Sequence, residues 1–184
     1  SRRVLKEHAG VFVAAHPITG KEVSGVEHAD RDLYHGKQVI LTPTERTQVV
    51  QLKKAVDLWT ALGCQVLQMS PEAHDAAYAA VSHLPHLIAF ALMNAITDQP
   101  NGKDYLSLAG PGFRDFTRIA ASDSHMWRDV LMANRQELLA QSKLFQKAMM
   151  NLEQMIMRDE VESLEAEIDK ASLTRAQWRM TVRK

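Results

Sequence analysis

The apolar positions of this chain change their period near residue 70. Before that point they come in short runs closed by turn formers. Val11-Phe12-Val13-Ala14-Ala15 ends at His16-Pro17, Gln38 to Thr42 ends at Pro43, and Cys64 to Met69 ends at Ser70-Pro71. Runs of that length bounded by Pro and Gly predict buried strands. Between the second and third, Val49, Leu52, Ala55, Val56 and Trp59 recur on one stripe, which predicts a helix from Thr44 to about Leu62, ended by Gly63. The stretch HPITGKEVSGVEHADRDLYHGK, rich in Gly and charge, reads as a long functional loop. An order of β, β, α, β suits the last portion of an α/β sheet and is too little to stand alone. The earlier strands are therefore expected upstream of Ser1. The opening SRRVLKEH looks like the tail of a helix and carries no initiator Met, so the chain reads as a fragment.

From Ser70 the period is helical throughout. Ser70 is an N-cap with Pro71 at the first helical position, and the helix is expected to continue to about Thr97 with a kink or break at Pro85. Asp98 to Gly102 is a turn. Gly110-Pro111-Gly112 stops the next element, and Phe113 to Ala121 reads as a short helix with Phe113, Phe116, Ile119 and Ala120 on its apolar side. A long helix is then expected from Ser124 to Met157. Leu131, Leu138, Phe145, Met149, Leu152 and Ile156 form its near-heptad seam. A break at Arg158-Asp159 leads to a last helix with Val161, Leu164 and Ile168 inward. The division is thus residues 1–69, α/β, and residues 70–184, all-helical.

Composition narrows the class. Lys plus Arg and Asp plus Glu are both 22, so no net field draws nucleic acid or an acidic membrane. One cysteine, Cys64, excludes an internal disulfide framework and agrees with a reducing, cytoplasmic setting. The apolar run Leu87 to Ile96 is too short to span a bilayer, and no signal-peptide hydrophobic region opens the chain.

Three groups of residues could carry chemistry. His16 lies at the end of a strand before a Gly-rich loop, where α/β sheets gather ligands, and its ring titrates near working pH. A histidine bonded to nearby backbone is the alternative. On the helix after Ser70, Asp75, Ser82 and His86 fall within one wedge at 100° per residue, the wall of a polar pocket, whereas His74 and His83 point elsewhere. A His83-x-x-His86 metal site would need two further ligands, so no metal is expected. Arg114 and Arg118, one turn apart, could grip a carboxylate or phosphate, or merely line a solvated, salt-bridged face. Trp127 is either core or part of a site.

The ordered set HPITGKEVSGVEHA (His16 to Ala29), ILTPT (Ile40 to Thr44), MSPEAHDAAYAAVSHLPHLIAFAL (Met69 to Leu92) and GPGFRDFTRIAASDSHMWRDVLMANR (Gly110 to Arg135) resembles the prephenate dehydrogenase family, with its arogenate and cyclohexadienyl members. The resemblance runs from about Val11 to Met157. It implies the end of a Rossmann-type NAD-binding sheet, with NADP the alternative cofactor, followed by an all-α dimerisation domain, and an active site between the two. It further implies a homodimer acting on prephenate or arogenate in tyrosine synthesis, with tyrosine as feedback inhibitor. By the same resemblance His16 is the catalytic histidine at the substrate's C4 hydroxyl. Arg118 clamps a substrate carboxylate, and Ser82, His86 and His83 line the substrate side. Glu22 and Asp115 form an ionic gate with Arg118, Asp75 supports the site, and Trp127 closes the pocket, from its own chain or from the dimer partner. The family's Gly-rich phosphate turn is not in this sequence, so the chain alone is expected to be inactive. A non-catalytic dimerisation or effector-binding module of the same fold is the competing reading; a helical metal-binding protein is a third.

Overall fold

A computed structural model describes residues 6–20 and 25–179, and the chain divides into two compact units. Glu22 lies outside the described residues.

The first unit comprises Ser1–Tyr78 and Ala121–Asp123. Its sheet has three strands in the order β1 (Ala15–Pro17), β2 (Gln38–Leu41), β3 (Gln65–Gln68). Strand β2 is central, pairing antiparallel with β1 and parallel with β3. Val39, Ile40 and Leu41 are all buried, as expected of a strand covered on both faces. Helix α1 (Val49–Ala61) lays Leu52, Ala55, Val56 and Trp59 against Val39, Leu41 and Cys64, joined by Val13, Tyr34 and Val66. Every member of the expected α1 stripe except Val49 is in that cluster. Gly63 ends α1 at φ 78, in the left-handed region where a side chain is strained. Cys64 is buried, its thiol directed at the Tyr34 carbonyl, and burial pushes its pKa up.

Two boundaries differ from the sequence reading. Helix α1 starts at Val49 rather than Thr44, because Thr44 to Thr47 close a turn of their own: the Thr47 amide donates to the Thr44 carbonyl and the Thr44 amide to the Thr47 hydroxyl. More consequentially, the first strand is not Val11 to Ala15. It is Ala15–Pro17, so His16 sits within it, opposite Ile40, instead of just beyond its end.

The second unit comprises Ala79–Ala120 and Ser124–Lys184. Helix α2 (Pro71–Tyr78) belongs to the first unit, and the boundary falls where its α-helical turns give way to a π turn, Ala79–His83, before α3 (Leu84–Thr97). Proline at position 85 has no amide to donate, and the π turn one step earlier takes up the disrupted ladder. The expected break at Pro85 is thus displaced to Ala79–His83. Helices α4 (Gly102–Ser107) and α5 (Pro111–Thr117) are short, and a 3-10 turn, Arg118–Ala121, follows α5.

The single long helix expected from Ser124 is two, α6 (Ser124–Ala133) and α7 (Arg135–Met157), separated at Asn134. The last is α8 (Val161–Gln177), entered through Asp159 at φ 56. Along the seam Leu138 is buried, while Met149 and Ile156, with Met157, Val161 and Ile168 beyond, are exposed. Phe116, expected inward, is exposed as well. The run Pro71–Thr97 is 27 residues long and its most apolar window has a mean hydropathy of 1.4, enough by length and composition to cross a membrane, which Leu87 to Ile96 alone did not indicate. One such helix is weak evidence of a bilayer, because core helices of globular folds meet the same criterion.

The packing of β2 predicts a sharp contrast between two truncations. Leu41→Ala empties a fully buried site and should cost about 2–5 kcal/mol. Val49→Ala, 82% exposed on α1, should change stability by less than about 0.5 kcal/mol. Urea unfolding followed by far-UV circular dichroism measures both.

Candidate functional site

In the first unit His16 is exposed on β1, held by backbone ladders that extend past the strand: the Ile18 amide donates to the Gln38 carbonyl and the Thr42 amide to the Ala14 carbonyl. Its Nδ1 lies 2.8 Å from Nε2 of His74. His74 belongs to α2, whose first turn is capped by the Ser70 hydroxyl, which accepts from the Ala73 amide at 3.1 Å. Nδ1 of His74 in turn lies 2.9 Å from an Asp75 carboxylate oxygen. Tyr78, one turn on, stacks on His74 with ring centroids 4.7 Å apart and tilts over His16 at the same separation. Burial raises the Tyr78 pKa, so its hydroxyl stays protonated. His74, set aside in the sequence because it leaves the Asp75 wedge, is therefore the direct partner of His16. The pair is 58 residues apart in sequence, and no local pattern signals it.

In the second unit the π turn re-aims the polar residues. A π turn advances less than 100° per residue, so the projection that set His83 apart from His86 fails beyond Tyr78. Trp127, on α6 and 8% exposed, meets both rings. His86 stacks on its ring at 3.5 Å and 21°, His83 meets it edge-on at 6.3 Å, and Phe90 closes the cluster at 6.5 Å. The Ser82 carbonyl accepts a hydrogen bond of 2.9 Å from Nδ1 of His86, which leaves the lone pair of a neutral ring on Nε2. Asn134, at the break between α6 and α7, brings its amide nitrogen 3.3 Å from Nδ1 of His83. Neither Asn134 nor Phe90 stood out in the sequence.

The pKa of His86 is lowered from 6.5, first by burial and also by the positive charge of Arg118, against the Ser82 bond, which favours the cation. The imidazole is thus kept neutral as a hydrogen-bond acceptor. Arg118 itself is exposed at the start of the 3-10 turn. Asp115 is bonded at 3.0 Å to its neighbour Arg114, and both are exposed, so that pair has the character of a weak surface contact. The other half of the expected gate, Glu22, is outside the described residues, and Asp75 is bonded to His74 within the first unit. Among the described residues, no group of three or more His, Cys, Asp or Glu side chains is placed to hold a metal ion.

With this geometry in hand, two family profiles match the chain: "Prephenate dehydrogenase, nucleotide-binding domain" over residues 2–68 and "Prephenate dehydrogenase, dimerization domain" over residues 70–170. The chain belongs to the prephenate dehydrogenase family. It is 36% identical over 129 residues to the prephenate dehydrogenase of Bacillus subtilis, a match that takes in 70% of this chain and 35% of that protein. Against the cyclohexadienyl dehydrogenase of Zymomonas mobilis it is 33% identical over 131 residues, or 70% of this chain and 45% of that one. The crystal structure of prephenate dehydrogenase from Aquifex aeolicus in complex with hydroxyphenyl propionate and NAD+ superposes with a TM-score of 0.87 at 39% identity, covering 96% of this chain and 61% of that one. The chain therefore spans less than half the length of these two curated relatives. The expected fold, a short piece of nucleotide-binding sheet followed by a helical dimerisation domain, is the fold found.

The lowered pKa of His86 has a consequence for stability. Its folded pKa lies below the unfolded one, so the unfolded chain binds the extra proton first as pH falls. The contribution of the neutral ring is complete above about 6.5 and is lost as pH drops through the folded value. The unfolding midpoint of the helical unit should therefore decline as pH falls below about 6.5, and His86→Gln should flatten that decline. Thermal melts of both proteins across this range provide the check.

Proposed function

We propose that this chain provides the substrate side of an NAD-dependent dehydrogenase that converts prephenate to 4-hydroxyphenylpyruvate in tyrosine synthesis, in a cytoplasmic setting. Arogenate is the alternative substrate and NADP the alternative cofactor. Residues 1–69 form the tail of the nucleotide-binding domain and 70–184 the substrate-binding and dimerisation domain. The single observation that carries the reading is the imidazole of His16, fixed on a sheet-paired strand and hydrogen-bonded through Nδ1 to a second imidazole. Its support from outside the chain is the family match and the likeness to an enzyme crystallised with NAD+ and a hydroxyphenyl ligand.

The bound nicotinamide would accept the hydride from C4. No Gly-x-Gly-x-x-Gly turn occurs in these 184 residues, so the chain does not hold the groups that would cradle the dinucleotide's phosphates, and its own chemistry is confined to the substrate. In that chemistry His16 takes the proton of the C4 hydroxyl. The C4 carbonyl left by hydride loss draws the electron pair of the departing carboxylate through the ring as carbon dioxide leaves. The resulting phenolate takes a proton back from His16, and aromatisation drives the reaction forward. A placed base of this kind contributes on the order of 10²–10⁴ in rate. Arg118 pairs with a substrate carboxylate, a role that its planar fork suits better than a lysine. His86, kept neutral, accepts a hydrogen bond at Nε2 without competing for the proton.

The same reading makes the protein a homodimer. Met149, Ile156, Met157, Val161 and Ile168 expose apolar surface along α7 and α8, and a two-fold contact is the commonest way to cover such a face. Sedimentation at micromolar concentration should give twice the chain mass; a monomer would sink this part of the reading.

For the reaction, the decisive assay is prephenate-dependent reduction of NAD by the chain joined to a complete nucleotide-binding domain, with arogenate and NADP run in parallel. His16→Asn should lower kcat by about 10²–10⁴ while leaving substrate binding intact. Arg118→Gln should weaken substrate binding by about 2–5 kcal/mol. Absence of turnover with either substrate and either cofactor would discard the catalytic reading in favour of a binding module.

A further inference from the structure

We propose that His74 and Asp75 are positioning residues, forming with His16 a three-membered relay that holds the His16 lone pair on Nε2. The inference rests on His16 being the base of the reaction proposed above. Two contacts fix where the protons lie. An ionised carboxylate only accepts, so the 2.9 Å contact of Asp75 places a proton on Nδ1 of His74. A neutral His74 then carries its lone pair on Nε2. That nitrogen is 2.8 Å from Nδ1 of His16, and the bond exists only if Nδ1 of His16 donates. The remaining lone pair of His16 is consequently on Nε2, the nitrogen directed away from the relay.

The arrangement does two things. A histidine in water divides its proton between two nitrogens, and only one tautomer can take a proton at a given atom. The relay selects that tautomer before substrate arrives. When Nε2 receives the hydroxyl proton, the resulting imidazolium retains its Nδ1 proton and donates it in a charge-assisted bond to His74, with the Asp75 carboxylate balancing the charge at the far end. Tyr78 fixes the angle between the rings by contacting both faces at 4.7 Å. Asp75 has 54% of its side chain exposed, so solvent screens its charge and tautomer selection is its larger effect.

Long-range 1H–15N correlation spectra of the imidazoles, recorded near neutral pH, read the tautomer directly on this chain. In the wild type His16 should show a protonated Nδ1 and an unprotonated Nε2. His74→Ala should move it toward the Nε2-protonated form that free histidine prefers, and Asp75→Ala should do the same in part. An Nε2-protonated His16 in the wild type, or a spectrum unmoved by both substitutions, overturns the relay. With the chain joined to a complete nucleotide-binding domain, His74→Ala should reduce kcat by about 10- to 100-fold and leave KM nearly constant. His74→Gln, whose side-chain oxygen can accept the same Nδ1 proton, should recover part of the loss. A rise in KM at constant kcat also overturns the proposal, because it marks a contact to substrate instead. If the wild type turns over neither prephenate nor arogenate, the proposed reaction fails, while the spectra still decide the relay.

Discussion

The backbone ladder on either side of Gln38–Leu41 is the constraint on which His16 depends. A residue on a free loop would bring its imidazole to a partner only part of the time. Opposite Ile40, with the Ile18 and Thr42 amides bonded on either side, His16 has a fixed backbone. That strand is itself fixed because Val39 and Leu41 are fully buried beneath α1. A register slip of one residue would turn His16 to the other face and bring Pro17, which has no amide, into its place. The apolar pairing of β2 and the position of the imidazole are therefore one fact. Strand β3, parallel on the other side of β2, delivers the chain through Met69 to the Ser70 cap, and with it His74 at the first turns of α2.

A second constraint governs the helical unit. Pro85 cannot donate to the helix ladder, and the π turn at Ala79–His83 is how the chain continues despite it. The turn rotates Ser82, His83 and His86 relative to a regular helix, so that both histidines reach Trp127. Asn134 joins the same cluster through His83. An unbroken helix from Ser124 to Met157 would have had no reason to direct a polar side chain at His83, and the break at that residue supplies one.

Much of this was legible from the chain and some was not, for identifiable reasons. The strand, helix, strand order before Ser70, the Ser70 cap, the Gly63 stop and the α1 stripe apart from Val49 all follow from local chemistry, and all are present. His16 stood out because a His-Pro pair closes an apolar run. Its placement within an antiparallel strand, however, depends on pairing with β2 that no local period encodes. His74 was discounted by projecting α2 in isolation, although its partner lies 58 residues earlier. The His83 projection assumed a constant 100° per residue and failed where the helix does not keep it. The heptad seam ran through Asn134 because Leu131 and Leu138 keep the spacing, and spacing is blind to a one-residue break.

On the proposed reading, the two imidazoles bonded through Nδ1, His16 and His86, have two different tasks. In each, the partner of Nδ1 places the lone pair on Nε2. The partners differ in charge. A backbone carbonyl, the acceptor for His86, selects the tautomer without a full negative charge, and burial with the nearby Arg118 keeps the ring neutral. A carboxylate behind a second imidazole, the arrangement proposed at His16, selects the same tautomer and adds a smaller, solvent-screened stabilisation of the cation. A residue that must take up a proton needs the second environment. A residue that must only accept a hydrogen bond is better served by the first. On that reading, the division of labour between base and acceptor is set by what lies behind each ring.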